Sequence, residues 1–138
     1  MTPRGGGTSR FQRLTAYDQH CLRVESRARP LQIGILAVLD GRTLLDQAGR
    51  LRFAEIRLEI DRRVAFVPEL RRVIFRPGPL AGGPLWVDDP AFRIEQHVEE
   101  IELPPPADEA ALLALVERLM ARPLDRSRPL WRIWFVTG

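Results

Sequence analysis

The sequence predicts a mixed α/β fold, and three observations predict it. Residues 108–122 repeat apolar side chains at helical spacing; residues 31–41 and 130–136 are apolar runs of strand length; and the two kinds of segment alternate along the chain. At 138 residues, 45% of them apolar and 28% charged, the chain is long enough to bury one core and has an ordinary globular composition.

Taken in order, residues 1–13 are Gly-rich and basic with no apolar period, and read as a disordered arm ahead of one folded unit, 14–138. "TAYD" sets Thr15 three residues before Asp18, a capping-box variant that opens a short helix towards Ser26, and "RARP" breaks it. "LQIGILAVLDG" reads as a strand, apolar on both faces and closed by an Asp-Gly turn. Thr43 to about Val64 reads as a long helix whose stripe passes through Leu44, Leu45, Ala48 and Leu51, drifts near Gly49 and Arg50, and resumes at Phe53, Ile56, Ile60 and Val64.

"PELRRVIFRP" predicts a strand, "GPLAGGP" a loop, "LWVDD" a brief strand and "HVEEIEL" another, stopped by Pro104–Pro106. From Asp108 to Arg122 the helix is best marked: acids at its start, Arg118 and Arg122 at its end, and Leu112, Leu115, Val116, Leu119 and Met120 on one stripe. Pro123 ends it, and Leu130–Val136 follows as a strand interrupted only by Arg132.

All 21 basic residues are Arg, and the sequence pI is about 10.3. The net charge is only +3, however, and no recognition-helix motif or aromatic–basic interleaving accompanies it, so nucleic acid is not an expected partner. One cysteine, Cys21, allows no internal disulfide. No signal peptide is recognisable, and the longest apolar run, "IGILAVL", is too short to span a bilayer; a cytoplasmic location is expected, with attachment to a membrane surface left open.

Chemistry is sparse. His20 and His97 are each isolated, and a lone His is ordinarily a surface or satisfied core residue; Cys21 beside His20 is no spaced metal motif. There is no phosphate loop and no nucleophile elbow. Asp88 and Asp89 are adjacent, face opposite ways on an extended segment, and suit a turn before Pro90. No complete catalytic constellation emerges, so no catalytic residue and no metal site is assigned.

One stretch is more distinctive. "PLWVDDPAFRIEQHVEEIELPPP", a helix, and then "RPLDRSRPLWRIWFVTG" resemble the N-terminal region of the bacterial wax ester synthase/diacylglycerol acyltransferase family, and the run Pro123–Trp131 is specific to it. "LTAYDQHCLRVESRARPLQIGILAVLDG" and "VPELRRVIF" are similar to the family's opening helix, first strand and Pro-x-Phe-Arg-Arg element. The resemblance covers residues 14–138. Departures are Leu31, Gln32 and Ile33 where the family has Met-His-Val, and Arg93 where an acid is usual.

The resemblance implies most of the first half of a chloramphenicol-acetyltransferase-like, CoA-dependent acyltransferase built from two α/β halves around a tunnel. It implies acyl transfer from acyl-CoA, as substrate rather than cofactor, to diacylglycerol or a fatty alcohol, with no metal. In the family the general base lies in His-His-x-x-x-Asp-Gly, which this sequence lacks; His97 matches a different family histidine. Pro129, Leu130 and Trp131 are then expected to be structural, near the active site. The expectation is a truncated member, inactive alone; the alternatives are one part of a split enzyme, with a second polypeptide docking at the sheet edge Leu130–Val136, or a non-enzymatic lipid- or protein-binding half-domain at a membrane or lipid-droplet surface.

Overall fold

Local side-chain chemistry sets the first elements. In the computed structural model, which describes residues 11–26, 28–78 and 80–138, the Thr15 hydroxyl accepts from the Asp18 amide at 3.1 Å. The Asp18 carboxylate accepts in turn from the Thr15 amide at 2.9 Å. This closed capping box starts helix α1, Ala16–Val24. Immediately before it, Phe11–Arg13 form strand β1, a correction to the disordered arm 1–13, whose residues 1–10 lie outside those described. Gln12 faces Trp86 across a ladder, and the ladder outweighs the weak local signal.

Residues 31–40, expected as a strand, belong to no sheet. The apolar pattern is present but the neighbouring strand that would define it is not found among the described residues. The long helix expected from Thr43 is shorter. Gly41–Thr43 form a single 3₁₀ turn, Leu45 and Leu51 make an isolated bridge, and helix α2 begins only at Phe53, running to Val64. The reason is Asp46: its carboxylate accepts from the amides of Ala48 and Arg50, both at 2.9 Å, folding the backbone into a turn that Gly49 completes at φ 76°.

A 3₁₀ turn at Pro68–Arg71 takes the first half of the strand expected over 68–77, leaving β2 at Arg72–Phe75; Pro79 of the following loop lies outside the described residues. Strand β3, Leu85–Asp88, sits between β1 and β2 in an antiparallel sheet of order β1-β3-β2. A second sheet pairs β4, Val98–Glu102, with β5, Ile133–Thr137, in parallel, Val98 opposite Ile133 and Glu102 opposite Thr137. Between them runs α3, Glu109–Met120, capped by the Asp108 carboxylate on the Ala111 amide at 2.9 Å. Unit β4–α3–β5 is thus a parallel crossover.

The core is small and lies where α2 meets this crossover. Val64, Ile94 and Val98 are buried, with Phe53, Ile60, Leu70, Phe92, Trp131 and Phe135 packed around them. Phe135 meets Phe53 edge to face, ring centroids 6.1 Å apart. On the opposite side of β5, Trp134 and Val136 face an open groove.

Candidate functional site

His97 organises the first part of the site. The residue is 2% exposed, and its ring packs against Phe92, at 5.1 Å and 18° between planes, and against Trp131, at 4.5 Å and 26°; the Phe92 and Trp131 ring centroids are themselves 6.3 Å apart, so the three rings form a triangular cluster. Arg71 extends the stack, its guanidinium 4.8 Å from the Phe92 ring centre. His97 Nδ1 lies 2.9 Å from the Trp131 carbonyl, which can only accept, so the proton sits on Nδ1. Trp131 Nε1–H donates to the Leu70 carbonyl at 2.6 Å. His97 therefore holds the backbone of Trp131 while Trp131 holds the 3₁₀ turn ahead of β2. His20, by contrast, is exposed on α1, far from this role.

The run Pro123–Trp131 is a tight, self-bonded loop. Asp125 Oδ1 accepts from the Ser127 amide at 2.9 Å and the Ser127 hydroxyl at 2.7 Å, and Arg128 lies 3.5 Å from Asp125 Oδ2. These contacts, the Ser127 hydroxyl first, hold the Asp125 carboxyl below the usual carboxylate range. Arg126 reaches back to Glu25, at the end of α1, with Nη2 2.6 Å from Oε2. Pro129 is buried and Leu130 and Trp131 half-buried at the entry to β5. Of the acid pair, Asp89 caps the Ala91 amide at 2.8 Å, the turn role expected of it, and Asp88 lies 3.6 Å from Arg72, a buried arginine whose Nε has no hydrogen-bond partner among the described residues.

Beside this loop opens an apolar groove of about 820 Å³. Its walls are α1 through Cys21 and Leu22, the extended residues 31–36, α3 through Val116, Leu119 and Met120, and β5. Gln32, the residue that departs from the family's histidine, closes one end: its side-chain amide donates to the carbonyls of Met120 at 2.7 Å and Arg122 at 3.1 Å. Two protons on one nitrogen serve two free carbonyls at the end of α3. Sequence reasoning missed both the groove and the Glu25–Arg126 pair, because each joins segments about a hundred residues apart; the one local hint was a run of apolar residues, 33–39, with no polar face. Among the described residues no group of acids, histidines or cysteines could hold a metal, and no helix is long and apolar enough to cross a membrane.

The chain is similar in sequence and fold to known proteins. The sequence model of the wax ester synthase/diacylglycerol acyltransferase catalytic domain matches residues 14–138. The "Probable diacyglycerol O-acyltransferase tgs1" of Mycobacterium tuberculosis is 42% identical over 127 residues, covering 91% of this chain and 26% of its own. The corresponding tgs3 protein of the same organism is 34% identical over 126 residues, covering 91% of this chain and 45% of its own. This chain therefore spans between about a quarter and a half of these curated relatives. Among solved structures, the wax ester synthase/diacylglycerol acyltransferase from Marinobacter aquaeolei VT8 superposes with a TM-score of 0.68 at 20% identity, over 91% of this chain and 29% of that one, a likeness of fold. With a family match over nearly the whole described length and the Pro123–Trp131 loop locked into the core by His97, the chain belongs to the wax ester synthase/diacylglycerol acyltransferase family.

Proposed function

We propose that residues 14–138 supply the N-terminal part of an acyltransferase that moves an acyl group from a coenzyme A thioester to diacylglycerol or a long-chain alcohol. The observation that carries this reading is the family match across 14–138. In such a transfer the alcohol oxygen bonds to the thioester carbonyl carbon, the carbon–sulfur bond breaks, and the hydroxyl proton passes to a base. Neither histidine of this chain is placed to be that base. His97 is buried in an aromatic cluster, 2% exposed and tied to the Trp131 carbonyl, and His20 has no orienting hydrogen bond among the described residues. The base comes from polypeptide outside these 138 residues. Pro129, Leu130 and Trp131 act here as structure, fixing the entry to β5 beside the groove. Acyl-CoA is a substrate, and the reaction calls for no metal or bound cofactor. Because acceptor and product are lipids, the assembled enzyme works against a lipid surface.

The test is a chimera in which residues 14–138 replace the matched region of Mycobacterium tuberculosis tgs1. Supplied with labelled oleoyl-CoA and diacylglycerol or hexadecanol, the chimera is expected to form labelled triacylglycerol or wax ester, and the 138-residue chain alone to form neither. A chimera that folds, melts cooperatively and still transfers to no alcohol overturns the reading.

A further inference from the structure

Next to the apolar groove lies a second cleft, of about 350 Å³, whose lining carries charge. The Pro123–Trp131 loop, the end of α3 and the start of β4 form it. Its arginines are Arg122, Arg128 and Arg132, and its carboxylates are Glu99 and Asp125. Both carboxylates are committed. Glu99 bonds Arg132, while Asp125 accepts twice from Ser127 through one oxygen and lies 3.5 Å from Arg128 through the other. Arg122 has no side-chain partner among the described residues, and the Arg128 side chain is 43% exposed with only that long contact to hold it. The cleft therefore offers one uncompensated positive charge and a second guanidinium free to turn towards an anion.

His97 adds an acceptor. It lines the same cleft at 2% exposure, and its Nδ1 proton is taken by the Trp131 carbonyl. Nε2 is then a lone pair that meets no donor among the described residues. Buried acceptors are ordinarily met, so a ligand that fills the cleft is favoured if it brings a hydroxyl to this atom. To the arginines it brings an anion. Phosphate suits them better than a carboxylate, because guanidiniums from two segments can each take oxygens of a tetrahedral group, whereas one guanidinium saturates a planar carboxylate. The volume fits a phosphorylated sugar or glycerol unit and not a whole lipid or coenzyme.

We propose that this cleft binds a phosphate group with a hydroxyl on the neighbouring carbon, the phosphate held by Arg122 and Arg128 and the hydroxyl donating to His97 Nε2. The hydroxyl is a recognition contact and does not react. The site stands on the cleft itself; its sources rest on the functional reading above. Two molecules in that reading carry the unit: coenzyme A, in its phosphorylated ribose, and a membrane lipid with a phosphoglycerol head.

Titration of the tgs1 chimera with two probes tests the site: adenosine 3′,5′-bisphosphate for the coenzyme and glycerol phosphate for the lipid head. Each is compared with a counterpart lacking the hydroxyl, the 2′-deoxy bisphosphate and ethyl phosphate. In the double variant Arg122→Gln, Arg128→Gln the dissociation constant of the occupant should rise about tenfold or more. Arg118→Gln, which removes the same charge from an exposed position outside the cleft, should leave it unchanged. Nitrogen NMR should show His97 Nε2 moving when the occupant is added and moving less with its counterpart.

The source follows from which probe is weakened. For the coenzyme, the double variant also raises KM for oleoyl-CoA but not for oleoyl-dephospho-CoA; for the lipid head, neither KM changes. If the chimera does not fold, the chain co-expressed with the unmatched part of tgs1 carries the same variants. Failure of both probes to bind in any of these preparations, weakening matched by Arg118→Gln, or equal binding of the counterparts with His97 Nε2 unmoved each overturns the site. A chimera that binds a probe through the two arginines but forms no ester keeps the site and removes the functional reading. An active chimera whose probe binding ignores the double variant does the reverse.

Discussion

Trp131 joins three parts of the molecule through one side chain and one carbonyl: the 3₁₀ turn at Leu70, the stack with His97 and the start of β5. Trp131→Phe keeps most of the packing but leaves the Leu70 carbonyl without its donor, and is expected to lower the stability of the chimera by about 1–2 kcal/mol, read as a shift of the urea midpoint at unchanged slope. Gln32→Leu strips two carbonyls at the end of α3 of their shared donor and should cost about 1 kcal/mol by the same measurement. For Asp125 the prediction concerns pH. Its folded carboxyl is held below the usual range, chiefly by the Ser127 hydroxyl. The stability it contributes is therefore present above the ordinary carboxylate pKa and is lost as pH falls through the depressed one. Carboxyl-carbon NMR should show Asp125 titrating lower than an unstructured Asp, and Ser127→Ala should move it back up.

Among the elements, those with purely local causes could be read from the sequence. Thr15 with Asp18, and Asp108 ahead of an apolar stripe, mark α1 and α3 because caps and periodicity act within a few residues. The start of α2 could not be read in the same way. Asp46 offers the amides of Ala48 and Arg50 a closer acceptor than a helix would, and the Leu44–Leu51 stripe is spent on a turn. Gly49 carries that turn at a positive φ, so Gly49→Ala should destabilise it by about 1 kcal/mol, seen as local exchange at 46–51 without loss of α2. Residues 31–40 show a second kind of failure. Their apolar pattern is that of a strand, but a strand exists only with a neighbour, and pattern alone does not supply one. For the site, the family resemblance pointed to Pro129, Leu130 and Trp131 as structural residues near the active site; it did not show that His97 would hold the Trp131 carbonyl, since that contact spans 34 residues and depends on the crossover through α3.

Across the whole molecule the buried set is thin: besides Pro129, six apolar side chains are buried among the described residues, while Ile33, Ile35, Val38, Phe66 and Leu80 are each more than four-fifths exposed. A core of that size offsets little of the chain entropy lost on folding. The isolated chain should bind a hydrophobic dye such as ANS, with native-like far-ultraviolet dichroism and no sharp melt; a cooperative melt from a monomer with no dye uptake would contradict this. The run Gln32–Leu39 has a further consequence in time rather than in space. It has no charge, no proline and one glycine, and its backbone is free to bond, which is the composition of a segment that stacks on copies of itself into a cross-β fibre. Pro30 before it and the Asp40–Arg42 ion pair after it stand at the two ends as charged or kinked stops. They restrain the spread of such stacking but leave the middle bare. Self-stacking of this run therefore competes with folding, and thioflavin fluorescence should grow with concentration in the free chain and fall when Ile35→Pro removes one rung.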